Sequence, residues 1–269
     1  MEYSVALGMV SSKRIPVPLG GDLIEQMFIA KEIGYDSVEL HIPHPSVINL
    51  KEVQEKKNTL GLKISTIGTG SIVATRGLTL TDADPTNRLE LLRILKEFID
   101  CAQVLGSNVT IGSVKGNSAD GFGSIEGDAL LGSAMQEISA YAVEKDVILL
   151  LEATNRYENN ILNRAEEVVS LISRYKLENT QALLDTFHCN IEEPRFSTCI
   201  VETGDLLGHI HFADNTRLYP GAGSMRLADI VSQVKAINYD GVLSIECLPE
   251  PNGIEAATRA LDFLRRNFG

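Results

Sequence analysis

The sequence predicts a single-domain α/β fold in which eight parallel strands, alternating with helices, close into a (β/α)8 TIM barrel over residues 1–269. Three observations predict it: short apolar runs alternate with longer amphipathic segments, eight such runs occur, and no linker or low-complexity segment divides the chain. Alternating strands and helices are typical of parallel βαβ units. A chain of 269 residues is long for one ordinary domain but suits such a barrel.

The candidate strands are short apolar runs at fairly regular intervals. In chain order they are YSVALG near residue 3, SVELHI near 37, LKISTIG near 62, NVTIGSV near 108, VILLLE near 147, QALLDTFH near 181, LGHIHFAD near 207 and GVLSIECL near 241. An open, doubly wound sheet is the alternative topology. It would be favoured by a glycine-rich phosphate motif after the first strand, but ALGMVSSKRIP contains none. The sequence therefore favours the closed barrel.

The candidate helices lie between these runs and carry recognisable end signals. Examples are GDLIEQMFIAKEIG, PTNRLELLRILKEFIDCAQVLG and ADIVSQVKAIN, which end in the glycine or asparagine expected of a C-cap. The segment between Asp185 and Leu206 is the weakest helical pattern, because Pro194 interrupts it.

The composition excludes several classes of function. The chain has 24 Lys and Arg against 36 Asp and Glu, a formal charge of −12, which argues against nucleic acid as a partner. It shows no basic n-region and no apolar run of the roughly 20 residues that a membrane span needs, so we expect neither a signal peptide nor a membrane partner. The four cysteines form no C-x-x-C pair, which predicts reduced thiols in a cytoplasmic protein.

Polar side chains collect where the candidate strands end. The residues in question are Glu39, His41, Lys115, Glu152, Asp185, His188, His211, Asp214 and Glu246. In a barrel the carboxyl ends of all strands meet at one face, where active sites are built. We therefore expect these side chains, although spread over more than 200 residues of sequence, to converge.

Side-chain alternation selects four of them as inward-facing: Glu152, Asp185, His211 and Glu246. A single strand-end carboxylate is usually paired with Lys or Arg. Three carboxylates packed together, however, repel one another unless a positive charge lies among them. Oxygen ligands with one imidazole suit Mn²⁺ or Mg²⁺ better than a thiolate-preferring zinc site. The sequence thus predicts one divalent cation held by these four, with Glu39 as a secondary site residue.

Four longer motifs, LEATNRYE, LLDTFHCNIEE, HIHFADNTRLYPGAG and SIECLPEP, resemble the xylose-isomerase-like barrel superfamily of sugar isomerases and epimerases. Within it the chain is most similar to the ketose 3-epimerases (D-tagatose and D-psicose 3-epimerase) and the keto-gluconate epimerases, over nearly its whole length. The resemblance implies the same four metal ligands, with Mn²⁺ as the ion and Mg²⁺ or Co²⁺ as substitutes. It also implies that Glu158, His188 and Arg217 bind substrate, and that the protein is a homodimer or homotetramer.

The chain departs from the family at two places. Ser224, Met225 and Arg226 stand where many relatives carry a Gly-His-x-Asp-like sequence, so the contacts made there stay open. Lys115 lies where relatives that handle keto acids tend to have a basic residue, which favours an anionic substrate bound by Lys115. The alternative for Lys115 is a solvated loop lysine.

The resemblance implies a metal-dependent epimerase or isomerase of a ketose or keto sugar acid, with its active site at the carboxyl ends of the strands. A proton next to the carbonyl would be abstracted through a metal-stabilised enediolate, with Glu152 and Glu246 as the acid/base pair on opposite faces of the carbon. The alternatives are an inosose- or dehydroshikimate-type dehydratase of the same superfamily and a non-catalytic sugar-binding relative. The identity of the sugar, and whether it carries a phosphate, stay open.

Overall fold

A computed structural model describes residues 1–119 and 124–269, and its centre is a closed barrel of eight parallel strands. The strands are β1 (Glu2–Gly8), β3 (Ser37–His41), β4 (Lys63–Gly68), β5 (Asn108–Ile111), β6 (Leu149–Glu152), β7 (Thr180–Asp185), β8 (Leu207–Phe212) and β9 (Val242–Ile245), with a two-residue strand β2 (Leu19–Gly20) beside β1. Each of the eight predicted runs forms one barrel strand, so these predictions are confirmed.

Strand pairing follows chain order and closes on itself. Each barrel strand pairs in parallel with its neighbour along the chain, and β1 pairs with β9 through partners such as Val5 and Ile245. This last pairing removes the free edges that an open sheet would leave. The open, doubly wound alternative is therefore wrong.

Helices surround the barrel. They are α1 (Leu23–Ile33), α2 (Leu50–Leu60), α3 (Ser71–Arg76), α4 (Pro85–Leu105), α5 (Ile125–Lys145), α6 (Ala165–Tyr175), α7 (Thr186–Glu192), α8 (Phe196–Thr203), α9 (Leu227–Ala236) and α10 (Gly253–Phe268). Short 3-10 turns occupy Pro45–Val47, Ser113–Lys115 and Gly204–Leu206. Across the described ranges, no helix is both long enough and apolar enough to span a membrane.

The helix ends follow the sequence signals. Gly34 and Gly106 end α1 and α4 with left-handed φ values of 108° and 62°, a conformation that glycine adopts without steric penalty. Asp84 caps the start of α4 by accepting a hydrogen bond from the backbone N–H of Thr86. Pro194 lies between α7 and α8, so the break expected in this segment is confirmed.

The core has an apolar layer between strands and helices and a partly polar barrel interior. Leu40, Ile67 and Leu151 are fully buried. Inside the barrel, Thr66 and Thr110 share a hydrogen bond of 2.9 Å between their hydroxyl oxygens, which satisfies both buried groups.

Candidate active site

Four strand ends bring three carboxylates and one imidazole together. Glu152 and Asp185 are the last residues of β6 and β7, His211 lies near the end of β8, and Glu246 directly follows β9. Their ligating atoms all lie within 4.8 Å of one another, and none of the four residues is more than 9% exposed. Asp185 and His211 are direct partners in the pairing of β7 with β8. The structure thus brings together the four residues that the sequence predicted as metal ligands.

The pKa values of the carboxylates in this cluster are shifted away from their usual range. Burial and the neighbouring Glu246 carboxylate raise the pKa of Glu152 to about 8. Burial also opposes ionisation of Glu246 and Asp185, but Arg217 and the neighbouring imidazoles together outweigh it at both residues and hold each pKa below its usual range. The cluster as a whole therefore favours a positive charge at its centre.

Arg217 supplies one such charge from the loop after β8. Its guanidinium donates hydrogen bonds to Asp185 and Glu246 and lies 4.8 Å from the centre of the Phe187 ring. Its backbone adopts a φ of 61°, in the left-handed region that non-glycine residues rarely adopt. The loop therefore holds the Arg217 side chain against the cluster, where it was predicted to bind substrate.

The residues fit a divalent cation. Nδ1 of His211 and Oε1 of Glu152 are buried at the cluster and make no hydrogen bond within the described part of the chain, although buried polar atoms normally have a partner. Gly112 leaves room for the carboxylate, because a Cβ there would lie 2.4 Å from Oε2 of Glu152. Three carboxylates and one imidazole form a donor set suited to Mn²⁺ or Mg²⁺. These four side chains can therefore hold a metal ion.

Glu39, in the middle of β3, orients the imidazole of the cluster. The carboxylate is fully buried and accepts a hydrogen bond of 2.9 Å from Nε2 of His211. It also accepts hydrogen bonds from Ser244 (3.2 Å) and from His41 (2.9 Å), while Nε2 of His209 lies 3.5 Å away. Burial opposes its ionisation, but His211 and the other imidazoles hold the pKa of Glu39 well below its usual range. Carboxylates commonly fix metal-binding histidines in this way.

His188, on α7, faces the cluster from the side. Burial lowers its pKa to about 4, so the imidazole is neutral at pH 7. Nε2 of His188 lies 3.7 Å from Oε1 of Glu152. Nδ1 lies 2.7 Å from the amide nitrogen of Asn155, which also donates to Glu158 (3.1 Å). The predicted substrate residues Glu158 and His188 are therefore linked through Asn155, for which the sequence leaves open whether it shapes the loop or binds substrate.

Lys115 lies behind the strand end that carries Glu152. Its ammonium group donates to the backbone carbonyl of Glu152 and, at 3.0 Å, to the hydroxyl of Thr154, and the side chain is fully buried. Burial lowers the pKa of Lys115 to about 8. The alternative of a solvated loop lysine is therefore wrong. These contacts support the backbone of β6, and the predicted contact of Lys115 with an anionic substrate stays a prediction.

Two other polar residues, His44 and the strand-end residue Asp214, have structural contacts instead. His44 lies 3.3 Å from Glu97 on α4, outside the cluster. Asp214 shapes the loop that carries Arg217 by accepting hydrogen bonds from the backbone N–H groups of Asn215, Gly221 and Met225. All four cysteines are free and buried.

Known proteins resemble this chain in sequence and in fold. Residues 28–267 match the family described as xylose isomerase-like TIM barrel. The chain is 41% identical to a D-psicose 3-epimerase of Enterocloster bolteae over 112 residues, which are 42% of this chain and 37% of that protein. It is 28% identical to an L-ribulose 3-epimerase of Methylomonas sp. over 219 residues, 81% of this chain and 75% of that protein. A solved structure of 3-keto-D-glucoside 4-epimerase from E. coli shares the fold over 99% of both chains, with a TM-score of 0.82 and 22% identity.

Proposed function

The chain belongs to the xylose isomerase-like TIM barrel family, and we propose that it is a metal-dependent epimerase of a ketose or keto sugar. The observation that carries the proposal is the cluster of Glu152, Asp185, His211 and Glu246 at the carboxyl ends of four barrel strands. Relatives named as 3-epimerases and a 4-epimerase support inversion of a carbon next to, or near, a carbonyl. We place the active site at this end of the barrel.

The positions of Glu152 and Glu246 support such an inversion. Epimerisation removes a proton from one face of a carbon and returns a proton to the other face. Glu152 ends β6 and Glu246 follows β9, and β7 and β8 lie between them in the barrel wall. We therefore assign Glu152 and Glu246 as the pair that takes and returns the proton, with their roles exchanged in the reverse direction.

The other polar groups hold the substrate's oxygens. Arg217 contributes positive charge beside Asp185 and Glu246, which opposes the negative charge that develops on the oxygen as the proton leaves. Glu158 and His188 contact hydroxyl and carbonyl oxygens from the loop after β6 and from α7. Glu152, Asp185, His211 and Glu246 would hold a divalent cation, for which we propose Mn²⁺ and which would supply Lewis-acid polarisation of the carbonyl. We further propose a cytoplasmic homodimer or homotetramer.

A substrate screen in D₂O tests this proposal. Protein loaded with Mn²⁺ would be mixed with ketoses, keto sugar acids and their phosphates, and deuterium uptake followed by NMR. We expect at least one neutral or acidic keto sugar to take up deuterium and change configuration, and we expect EDTA to stop both. Loss of water would identify a dehydratase, and a moved carbonyl an isomerase. Binding without any deuterium uptake would contradict the proposal and favour a non-catalytic relative.

A further inference from the structure

Asn155 lies in the loop between β6 and α6 and is only 2% exposed. Its side-chain oxygen accepts a hydrogen bond of 2.9 Å from the backbone N–H of Tyr157. A backbone N–H can only donate, so the oxygen of the amide must face Tyr157 and the nitrogen must face the other way. The acceptor on Glu158, 3.1 Å from that nitrogen, requires the same orientation. The direction of the Asn155 amide is therefore fixed by two independent partners.

This orientation determines which ring nitrogen of His188 carries the proton. The amide nitrogen of Asn155 lies 2.7 Å from Nδ1 of His188, and an amide N–H₂ can only donate. Nδ1 must then accept, which in a neutral imidazole leaves the proton on Nε2. The carboxylate of Glu158 could accept a proton from Nδ1, but it lies 3.9 Å from that nitrogen, too far for a hydrogen bond.

The edge of the His188 ring that carries Nε2 faces the cluster of Glu152, Asp185, His211 and Glu246. The nearest cluster atom is Oε1 of Glu152, 3.7 Å from Nε2, and this oxygen makes no hydrogen bond within the described residues. We propose that Asn155 is a positioning residue that fixes His188 in the Nε2–H tautomer, so that His188 donates a hydrogen bond into the site and cannot accept a proton there.

The consequence for catalysis rests on the proposed function. A fixed Nε2–H donor recognises a substrate atom that can accept, such as the carbonyl oxygen, and it strengthens its hydrogen bond as negative charge grows on that oxygen. His188 is thereby excluded as the base, which leaves proton removal to the glutamates. Asn155 acts only through His188 and Glu158 and need not touch the substrate.

The loop that carries Asn155 is also tied to the helix that carries His188. Arg156 donates from its backbone N–H and its guanidinium to Glu192 at the end of α7, at 2.6 to 3.1 Å. The ion pair of Arg156 with Glu192 therefore holds the loop that carries Asn155 against α7, which carries His188, independently of the contact between Asn155 and His188.

Nitrogen-15 NMR of histidine-labelled protein, without substrate, tests the proposal directly. The five histidines give few ring signals, and comparison with His188→Gln assigns those of His188. We expect protonated Nε2 and unprotonated Nδ1 in the wild type. In Asn155→Asp, a carboxylate replaces the donor, and the proton should move to Nδ1; in Asn155→Ala, which adds no charge, the two tautomers should mix. A wild-type signal with the proton on Nδ1 would overturn the proposal.

Asn163→Asp provides the matched control. Asn163 is a buried asparagine of the same loop whose amide donates to the backbone oxygens of Thr154 and Asn159, not to His188. It should leave the tautomer of His188 unchanged. If it shifts the ring signals as much as Asn155→Asp does, loosening of the loop is the cause and the proposal is wrong.

Kinetics separate this proposal from the proposed function. If a substrate is found, Asn155→Asp should lower kcat/KM by about 10–100-fold, with Mn²⁺ binding unchanged, because the four ligands are untouched. If no substrate is found, the proposed function fails while the ring spectra still decide the tautomer. Unchanged kcat/KM together with a switched tautomer would overturn the role of Asn155 in catalysis.

Discussion

Glu39 determines which nitrogen of His211 faces the other ligands. By accepting from Nε2 of His211, the buried carboxylate leaves Nδ1 directed at Glu152, Asp185 and Glu246, at 3.3 to 3.8 Å. Asn155 has the corresponding effect on His188. Its amide donates to Nδ1, where Glu39 accepts from His211, and so it leaves a donor, Nε2–H, facing the cluster. Two buried partners thus give two histidines different chemical functions.

At this scale we predict that Glu39→Gln weakens Mn²⁺ binding by about 10–100-fold while the fold persists. The amide keeps the size of the side chain but removes the charge that orients and polarises the imidazole of His211. Calorimetric titration of metal-free protein measures the affinity. Glu97→Gln is the matched control, since Glu97 also contacts an imidazole, that of His44, but away from the cluster. Equal affinities for Glu39→Gln and the wild type would contradict this role.

At the scale of elements, the loop between β6 and α6 is held to α7 by the ion pair of Arg156 with Glu192. The Glu192 side chain is 3% exposed and that of Arg156 is 49% exposed. Burial opposes ionisation of Glu192, but the hydrogen bonds from Arg156 outweigh it, so its pKa in the folded protein is lowered. A lowered carboxylate pKa stabilises the fold above the unfolded-state pKa, about 4.3, and this contribution is lost as the pH falls through the folded-state value.

We therefore predict that Arg156→Ala lowers the urea midpoint of unfolding at pH 7, and that its difference from the wild type shrinks as the pH falls below about 4. Arg76→Ala removes the guanidinium from an ion pair with Glu90 in which both side chains are at least 40% exposed, and should change the midpoint little. Urea titrations at pH 7 and at about pH 3 provide the comparison. A difference for Arg156→Ala that is the same at both pH values would contradict the prediction.

The elements also show what could be predicted from the sequence. Apolar runs such as VILLLE specify buried parallel strands, and alternation along them specifies which side Glu152 faces, so the barrel and its four converging side chains could be predicted. The contact of Asn155 with His188 could not be predicted, because the two residues are 33 apart in sequence and only the path of the loop after β6 brings them together. Lys115 follows a strand like a loop residue, and its burial depends on the 3-10 turn Ser113–Lys115 that directs it under β6.

At the scale of the whole molecule, the cluster joins segments from distant parts of the chain. Glu39 of β3 accepts hydrogen bonds from His211 of β8 and Ser244 of β9, next to the pairing of β1 with β9 that closes the barrel. A ligand that binds only where these strands meet binds the folded state alone. It therefore stabilises the entire barrel in proportion to its affinity.

We predict that Mn²⁺ at about 100 times its Kd raises the Tm of metal-free protein by about 5–10 °C, which corresponds to about 2.7 kcal/mol. EDTA should reverse the rise. Asp185→Asn, which alters one of the four ligands, should reduce it, whereas Asp229→Asn, at an exposed position on α9, should not. Thermal unfolding followed by circular dichroism measures the shift. If Mn²⁺ raised the Tm of the Asp185→Asn protein as much as that of the wild type, the ion would bind at another site.

Epimer interconversion in D₂O by Glu152→Gln and Glu246→Gln, with the bound Mn²⁺ measured in each sample, tests whether these two glutamates carry the proton. We predict that each substitution slows interconversion by about 10²-fold or more relative to the wild type, even at saturating Mn²⁺, because each removes one of the two groups that carry the proton. Glu158→Gln, which leaves both groups in place, should slow it less. Full interconversion and full deuterium uptake by both Glu152→Gln and Glu246→Gln would show that neither glutamate carries the proton.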